Sequence, residues 1–255
     1  MPRSLRRIIR NRWILCKWGA GARQGSVMKQ RLRVWSERVK DFLWPMGRSC
    51  MVCGCATRMQ SLCPDCLQAL KDCQLSPEEV LDRRVPEADQ VFSALVYGGV
   101  AKKLVWRTKF DALEEAGIVL GYHLAVALQA YGITGTLVTW VPMPSKRQRE
   151  RGIDHAQLLA REVAQSLGVP CRALLARTAR DQAEQHTLSR EERQENAKRA
   201  FCPAPDAPAL QGEHILLIDD VLTTGSTASA CAAQLRAMGA ATITVATVCK
   251  TQMEG

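Results

Sequence analysis

From residue 91 onward, short apolar runs alternate with longer stretches of helical periodicity. VFSALVY (91–97) is rich in β-branched and aromatic residues and ends at Gly98–Gly99, which predicts a strand. Residues 100–132 are mostly helical in pattern and close with LEEAGIVLGYHLAVALQAYG at Gly132. TLVTWV (136–141) predicts a buried strand halted by Pro142, and residues 156–167 predict a helix ended by Gly168. CRALLA (171–176) suits a short strand. The stretch 178–200 is highly charged, with helix-forming composition from Ser189, and residues 203–209 form a Pro/Ala-rich loop. HILLID (214–219) predicts a strand, TASACAAQLRAM (227–238) a helix and ATITVATV (241–248) a last strand. This alternation implies an α/β domain around a mostly parallel sheet.

Upstream the pattern changes. KQRLRVWSERVKDFLW (29–44) spaces Leu32, Trp35, Val39 and Phe42 as one face of a short amphipathic helix. Residues 74–90 are polar and acidic, with Pro77 and Pro86, and predict a linker. The expected organisation is therefore a basic leader with a short helix (1–45), a cysteine-rich module (46–75), a linker (76–90) and an α/β domain (91–255).

Charge alters the picture at one end only. The formal net charge is +10, yet ten of the 35 basic residues fall in residues 1–36, where there is no acid. The other 25 match the 25 acids, so the body is neutral and a basic nucleic-acid groove on the core is not implied. The basic segment has three readings: a tail for nucleic acid or anionic surfaces, a transit-like peptide, or a stretch outside the natural protein. The third is preferred, with residues 1–27 not native and MKQRLRVW beginning at Met28. No apolar run approaches the ~20 residues of a membrane-spanning helix, and a cytoplasmic location is expected.

Six of the eleven cysteines lie between Cys50 and Cys73. CMVCGCATRMQSLCPDC (50–66) holds two Cys-x-x-Cys knuckles, Cys50/Cys53 and Cys63/Cys66. Each knuckle turns two thiolates toward one metal, and the pair supplies a closed tetrahedron of sulfur that suits structural zinc. Cys55, beside the first knuckle, is a competing thiolate. A redox pair or chance clustering is the plainer alternative, and two knuckles at this spacing argue against it.

The most specific stretch is ILLIDDVLTTGSTASA (215–230). Asp219 and Asp220 follow a buried strand at the end where open α/β sheets bind ligands. Thr223, Thr224, Gly225, Ser226 and Thr227 then turn into a helix whose first N–H groups cradle an anion. Neither a Walker loop nor a dinucleotide fingerprint occurs here. Adjacent carboxylates repel a bare phosphate but accept hydrogen bonds from a ribose diol, with a divalent cation nearby. The plain alternative is a strand end followed by a helix cap.

IDDVLTTGST resembles the phosphoribosyl-diphosphate (PRPP) signature of type I phosphoribosyltransferases. Three further features narrow the resemblance to the ComF family, competence or DNA-utilisation proteins with a zinc ribbon ahead of a phosphoribosyltransferase-like domain. These are the two knuckles, VPMPSKRQRERGIDHAQLLA (141–160), and Gln185, Leu188, Arg193, Asn196 and Phe201. The resemblance covers residues 50 to 250. It implies a type I phosphoribosyltransferase-like parallel sheet flanked by helices, behind a double-knuckle ribbon with Cys50, Cys53, Cys63 and Cys66 as ligands. It makes Asp219 and Asp220 the catalytic, ribose-contacting pair and Thr223–Thr227 the 5′-phosphate loop. Pyrophosphate falls to Met143, Pro144, Ser145, Lys146, Arg147, Arg149 and Arg151. The family commonly has RGFNQ where this chain has Arg151–Gly152–Ile153–Asp154–His155, so Asp154 puts a charge where an amide is usual and weakens anion binding there. A lone histidine such as His155 is more often structural.

The implied chemistry is transfer of ribosyl 5-phosphate from PRPP with Mg²⁺ and loss of pyrophosphate, a glycosyltransferase reaction. The other reading is a non-catalytic PRPP- or nucleotide-binding adaptor in competence or DNA processing, with single-stranded DNA or competence proteins as partners.

Overall fold

The computed structural model describes residues 49–57, 60–144, 152–178 and 200–252. The basic leader, the helix expected over 29–44, most of the charged stretch 178–200 and residues 145–151 lie outside them.

Four strands form one parallel sheet: β1 (Gln90–Val96), β2 (Leu137–Trp140), β5 (His214–Leu222) and β6 (Thr242–Lys250). Their order is β1-β6-β5-β2. Register is fixed by pairs such as Val91↔Val245, Ile215↔Ile243 and Leu137↔Ile215. From Ile215 to Ile218, successive residues of β5 face opposite sides. Leu216 and Ile218 pack with one apolar cluster, Ile215 and Leu217 with the other. Both faces are buried, which is why these strands read as unbroken apolar runs.

Helices α2 (Gly99–Phe110), α3 (Glu114–Ala130) and α4 (His155–Leu167) cover the Leu216/Ile218 face, through residues such as Leu104, Leu120 and Leu159. Gly117 and Gly121 let α3 approach α4 closely, since a Cβ at either would press into Leu158 or Glu162. The other face takes α5 (Ser226–Ala237), through Ala228, Cys231 and Leu235. It also takes a two-stranded antiparallel sheet of β3 (Leu175–Arg177) and β4 (Phe201–Pro203). This is the type I phosphoribosyltransferase fold expected from the sequence.

Three local outcomes refine that expectation. The helical stretch 100–132 is two helices, because Leu113 and Asp111 both return their N–H groups to Arg107 and Ala112 between them is left-handed (φ 50°). β5 runs past Ile218 to Leu222, so both aspartates lie inside the ladder, Asp219 opposite Thr247. CRALLA contributes a single bridge, Cys171 to Val138, before β3.

The cysteine module ends in a short helix, α1 (Pro64–Lys71). Cys63, Cys66 and Leu70 share a cluster with Leu95, Ala101 and Leu104. The stretch 74–90 runs back along β1: Ser93 N donates to Val80 O and Asp82 N to Val91 O. Leu75, Val80 and Val85 are buried there.

Candidate functional site

The C-terminal ends of β2 and β5 lie side by side, with Val141 N donating to Ile218 O (3.0 Å). β5 leads into the turn Thr223–Gly225 and then α5. Gly225 is left-handed (φ 79°), and a Cβ there would collide with the carbonyl oxygen of Arg84. The turn therefore requires glycine for conformation and for space. Thr223, Thr224 and Ser226 are exposed and Thr227 is half-buried. The Thr224 and Ser226 hydroxyls are 3.1 Å apart. The first turn of α5 has no acid, so its leading N–H groups, of which Ser226 N donates to Thr224 Oγ1 at 3.5 Å, and these hydroxyls are able to hold an anion.

Arg84 braces this turn from the stretch before β1. Its Nη1 donates to Thr223 O (2.7 Å) and Thr251 O (3.2 Å). Its Nε and Nη2 reach Asp82 at 3.0 and 2.8 Å, and Lys250 Nζ lies 3.4 Å from the same carboxylate. Burial alone would raise the Asp82 carboxyl, but Arg84 and Lys250 lower it from 3.8 to about 2.

The two aspartates have different surroundings. Asp220 Oδ2 lies 2.8 Å from Lys109 Nζ, in the last turn of α2, and 2.7 Å from His155 Nε2, the first residue of α4. Burial disfavours its charge, and His155 and Lys109 outweigh burial, so the carboxyl is held below its ordinary range. Asp219 makes no ion pair among the described residues; its Oδ1 accepts the Asp220 N–H at 2.8 Å. Burial first, then the charges of Asp220 and Asp154, push it up from 3.8 to about 7. Asp219 neighbours α5: burial and then its charge raise the Cys231 thiol.

On the β2 side, Met143 and Pro144 are half-buried where the chain leaves the sheet. Pro142 O accepts from Arg177 Nε at 3.0 Å. Ser145, Lys146, Arg147, Arg149 and Arg151 lie outside the described residues. Asp154 caps α4, its Oδ1 accepting Gln157 N–H at 3.1 Å. Its charge thus serves a helix N-terminus, where it is favourable.

In the cysteine module, sulfurs of Cys50, Cys53, Cys55 and Cys63 lie within 4.8 Å of one another. Cys66 joins them through its N–H to Cys63 Sγ (3.4 Å). Three of the four expected ligands, Cys50, Cys53 and Cys63, are therefore gathered, and Cys55 stands with them where Cys66 was expected. Cys55 is pushed up to about 12, chiefly by Cys53 and Cys63. A divalent cation removes that mutual repulsion, and an all-sulfur set suits zinc.

Lys109 and Arg84 had no signature in the sequence. Lys109 ends an ordinary helix, and Arg84 sits in a polar stretch between prolines. His155 and Cys55 were visible as residue types, but their roles depend on the fold.

Residues 154–254 match the family profile of the phosphoribosyl transferase domain. The DNA utilization protein YhgH of Salmonella typhimurium is 33% identical over 208 residues, covering 79% of this chain and 90% of that protein. YhgH of Escherichia coli is 30% identical over the same shares. Competence protein F of Haemophilus influenzae is 32% identical over 105 residues, 41% of this chain and 46% of that one. Among solved structures, the glutamine PRPP amidotransferase of B. subtilis overlaps with a TM-score of 0.39 and 21% identity, over 52% of this chain and 26% of that enzyme. Overlap that slight has no bearing on activity. With four-fifths of its length aligned to YhgH and the phosphoribosyl transferase domain matched over residues 154–254, the chain belongs to the ComF/YhgH family of DNA-utilisation and competence proteins.

Proposed function

We propose that the chain binds PRPP with Mg²⁺ and transfers its ribosyl 5-phosphate group to an acceptor, releasing pyrophosphate, in a protein that serves DNA uptake or utilisation. One observation carries this reading: carboxylate-bearing β5 leads through the glycine turn into exposed hydroxyls and the leading N–H groups of α5. The 5′-phosphate would sit on Thr223–Thr227 and the ribose diol against the acidic pair. Met143, Pro144, Ser145, Lys146, Arg147, Arg149 and Arg151 would hold the pyrophosphate; Met143 and Pro144 follow β2, the strand paired with β5. The transition state carries positive charge at the anomeric carbon, which nearby carboxylates stabilise. Mg²⁺ supplies charge neutralisation for the leaving pyrophosphate. Zinc in the cysteine module has a structural role, since a closed sulfur site leaves no open position for chemistry.

The test is PRPP titration with Mg²⁺ by calorimetry, followed by pyrophosphate release with a panel of bases. Binding lost on substituting both Asp219 and Asp220 supports the reading; no binding to the intact chain sinks it. A second reading, a PRPP- or nucleotide-binding and DNA-binding adaptor without turnover, is favoured by the internal pairing of Asp220 and by the names of the relatives. Binding without pyrophosphate release, together with salt-dependent retention of single-stranded DNA, would select it.

A further inference from the structure

We propose that Lys109 and His155 clamp the Asp220 carboxylate inside the fold, so that Asp219 alone meets the ribose diol and Asp220 acts as a positioning residue. This rests on the ribose-phosphate reading above.

The first ground is which way each carboxylate faces. Neighbouring residues of an extended strand point to opposite sides of a sheet. Asp220 continues the row of Leu216 and Ile218, the face covered by α2, α3 and α4. Asp219 continues the row of Ile215 and Leu217, the face covered by α5. The hydroxyl-bearing turn feeds α5, so a phosphate held there sits on the Asp219 side of the strand. A ribose joined to that phosphate by its 5′ carbon is then within reach of Asp219 first.

The second ground is the state of Asp220. Asp220 Oδ2 lies 2.8 Å from the Lys109 ammonium nitrogen and 2.7 Å from His155 Nε2, and Asp220 is only 6% exposed. Withdrawing it toward a ligand would take the nearly buried Asp220 charge away from both Lys109 and His155, which is unfavourable. Asp219 has no such commitment among the described residues. Its carboxylate is free to exchange its single backbone contact for a hydroxyl or a cation.

The third ground is what the clamp joins. His155 is the first residue of α4 and directly follows the Asp154 cap. Lys109 lies in the last turn of α2. Asp220 thus fastens two helix ends to the central strand, and one of them closes the loop that leaves β2. Of the two imidazole nitrogens, Nε2 is the one beside the carboxylate, 2.7 Å from Asp220 Oδ2, while Nδ1 is buried without a partner among the described residues. The groups facing Asp220 are Lys109 from α2, His155 from α4, Asp219 on β5 and the Cys249 thiol on β6.

The test combines calorimetric titration of PRPP and Mg²⁺ with proton NMR of the full chain. Asp219→Asn should weaken PRPP binding at least about tenfold more than Asp220→Asn does, the scale of a lost hydrogen bond to a charged group. The wild-type protein should show a slowly exchanging downfield His155 Nε2–H proton that Asp220→Asn abolishes. His155→Gln, which keeps an N–H donor, should recover affinity that His155→Ala loses. Equal losses from the two aspartate variants would overturn the proposal, as would an Nε2–H signal indifferent to Asp220→Asn. Absence of PRPP binding by the wild type would instead remove the ribose-phosphate reading and Asp219's role with it. The NMR signal would still decide the clamp.

Discussion

Gly225 meets two constraints at once, a left-handed backbone and a gap closed by the Arg84 carbonyl. Gly225→Ala should therefore cost about 2–4 kcal/mol of stability, from left-handed strain plus a steric shift of Arg84. Thermal denaturation measures the loss, and PRPP affinity should fall with it. Asp219 sets a different kind of dependence. Its folded value is raised from 3.8 to about 7 by burial, Asp220 and Asp154. A ligand hydroxyl or cation needs the ionised form, so affinity should rise by up to about tenfold between roughly pH 6 and pH 8, with Asp219→Asn flat over that range. The stability effect has the opposite sense. Between 3.8 and about 7 the folded state keeps a proton that the unfolded chain has lost, so this contribution is full below 3.8 and fades as pH rises through about 7.

At the scale of elements, the cysteine module shares its apolar contacts with α2 and β1. Met51, Leu62 and Leu70 cluster with Leu95, Ala101 and Leu104. Removing a zinc ion held by these cysteines should thus destabilise the α/β domain as well as the knuckles, on the proposed structural role of the module. Chelation is expected to lower Tm by about 10 °C or more, in one transition instead of two. Scanning calorimetry beside elemental analysis checks this; an unchanged main transition would show the module to be thermally separate. The strands were legible because both faces of the sheet are buried, and that leaves apolar runs such as ILLI at 215–218. The turn at 223–227 was legible because its chemistry is local. The break between α2 and α3 was not, because Ala112 adopts a left-handed conformation that no local residue type announces. The clamp on Asp220 was hidden for a related reason. Lys109 and Asp220 meet only after β5 and α2 have packed, and nothing in WRTKF marks its lysine as a partner for a strand over a hundred residues away.

For the whole molecule, sheet order matters more than any single contact. β6 lies between β1 and β5 and pairs along its length with both. A chain ending at residue 241 would leave β1 without a strand beside it and expose one long edge of β5. Such a truncation should yield no cooperative unfolding transition, whereas removal of residues 253–255 should leave one; circular dichroism on heating distinguishes the two.

That position of β6 also sets the timing of synthesis. Chains emerge at about 5–20 residues per second, and domains made of non-local pairings close late. β1 is out of the ribosome long before residue 250, and its apolar face waits for a neighbour that follows every other described strand in the chain. During that interval the nascent chain presents open strand edges and an unfinished core. Open edges of that kind favour association between growing polypeptides until β6 slides into the middle of the sheet.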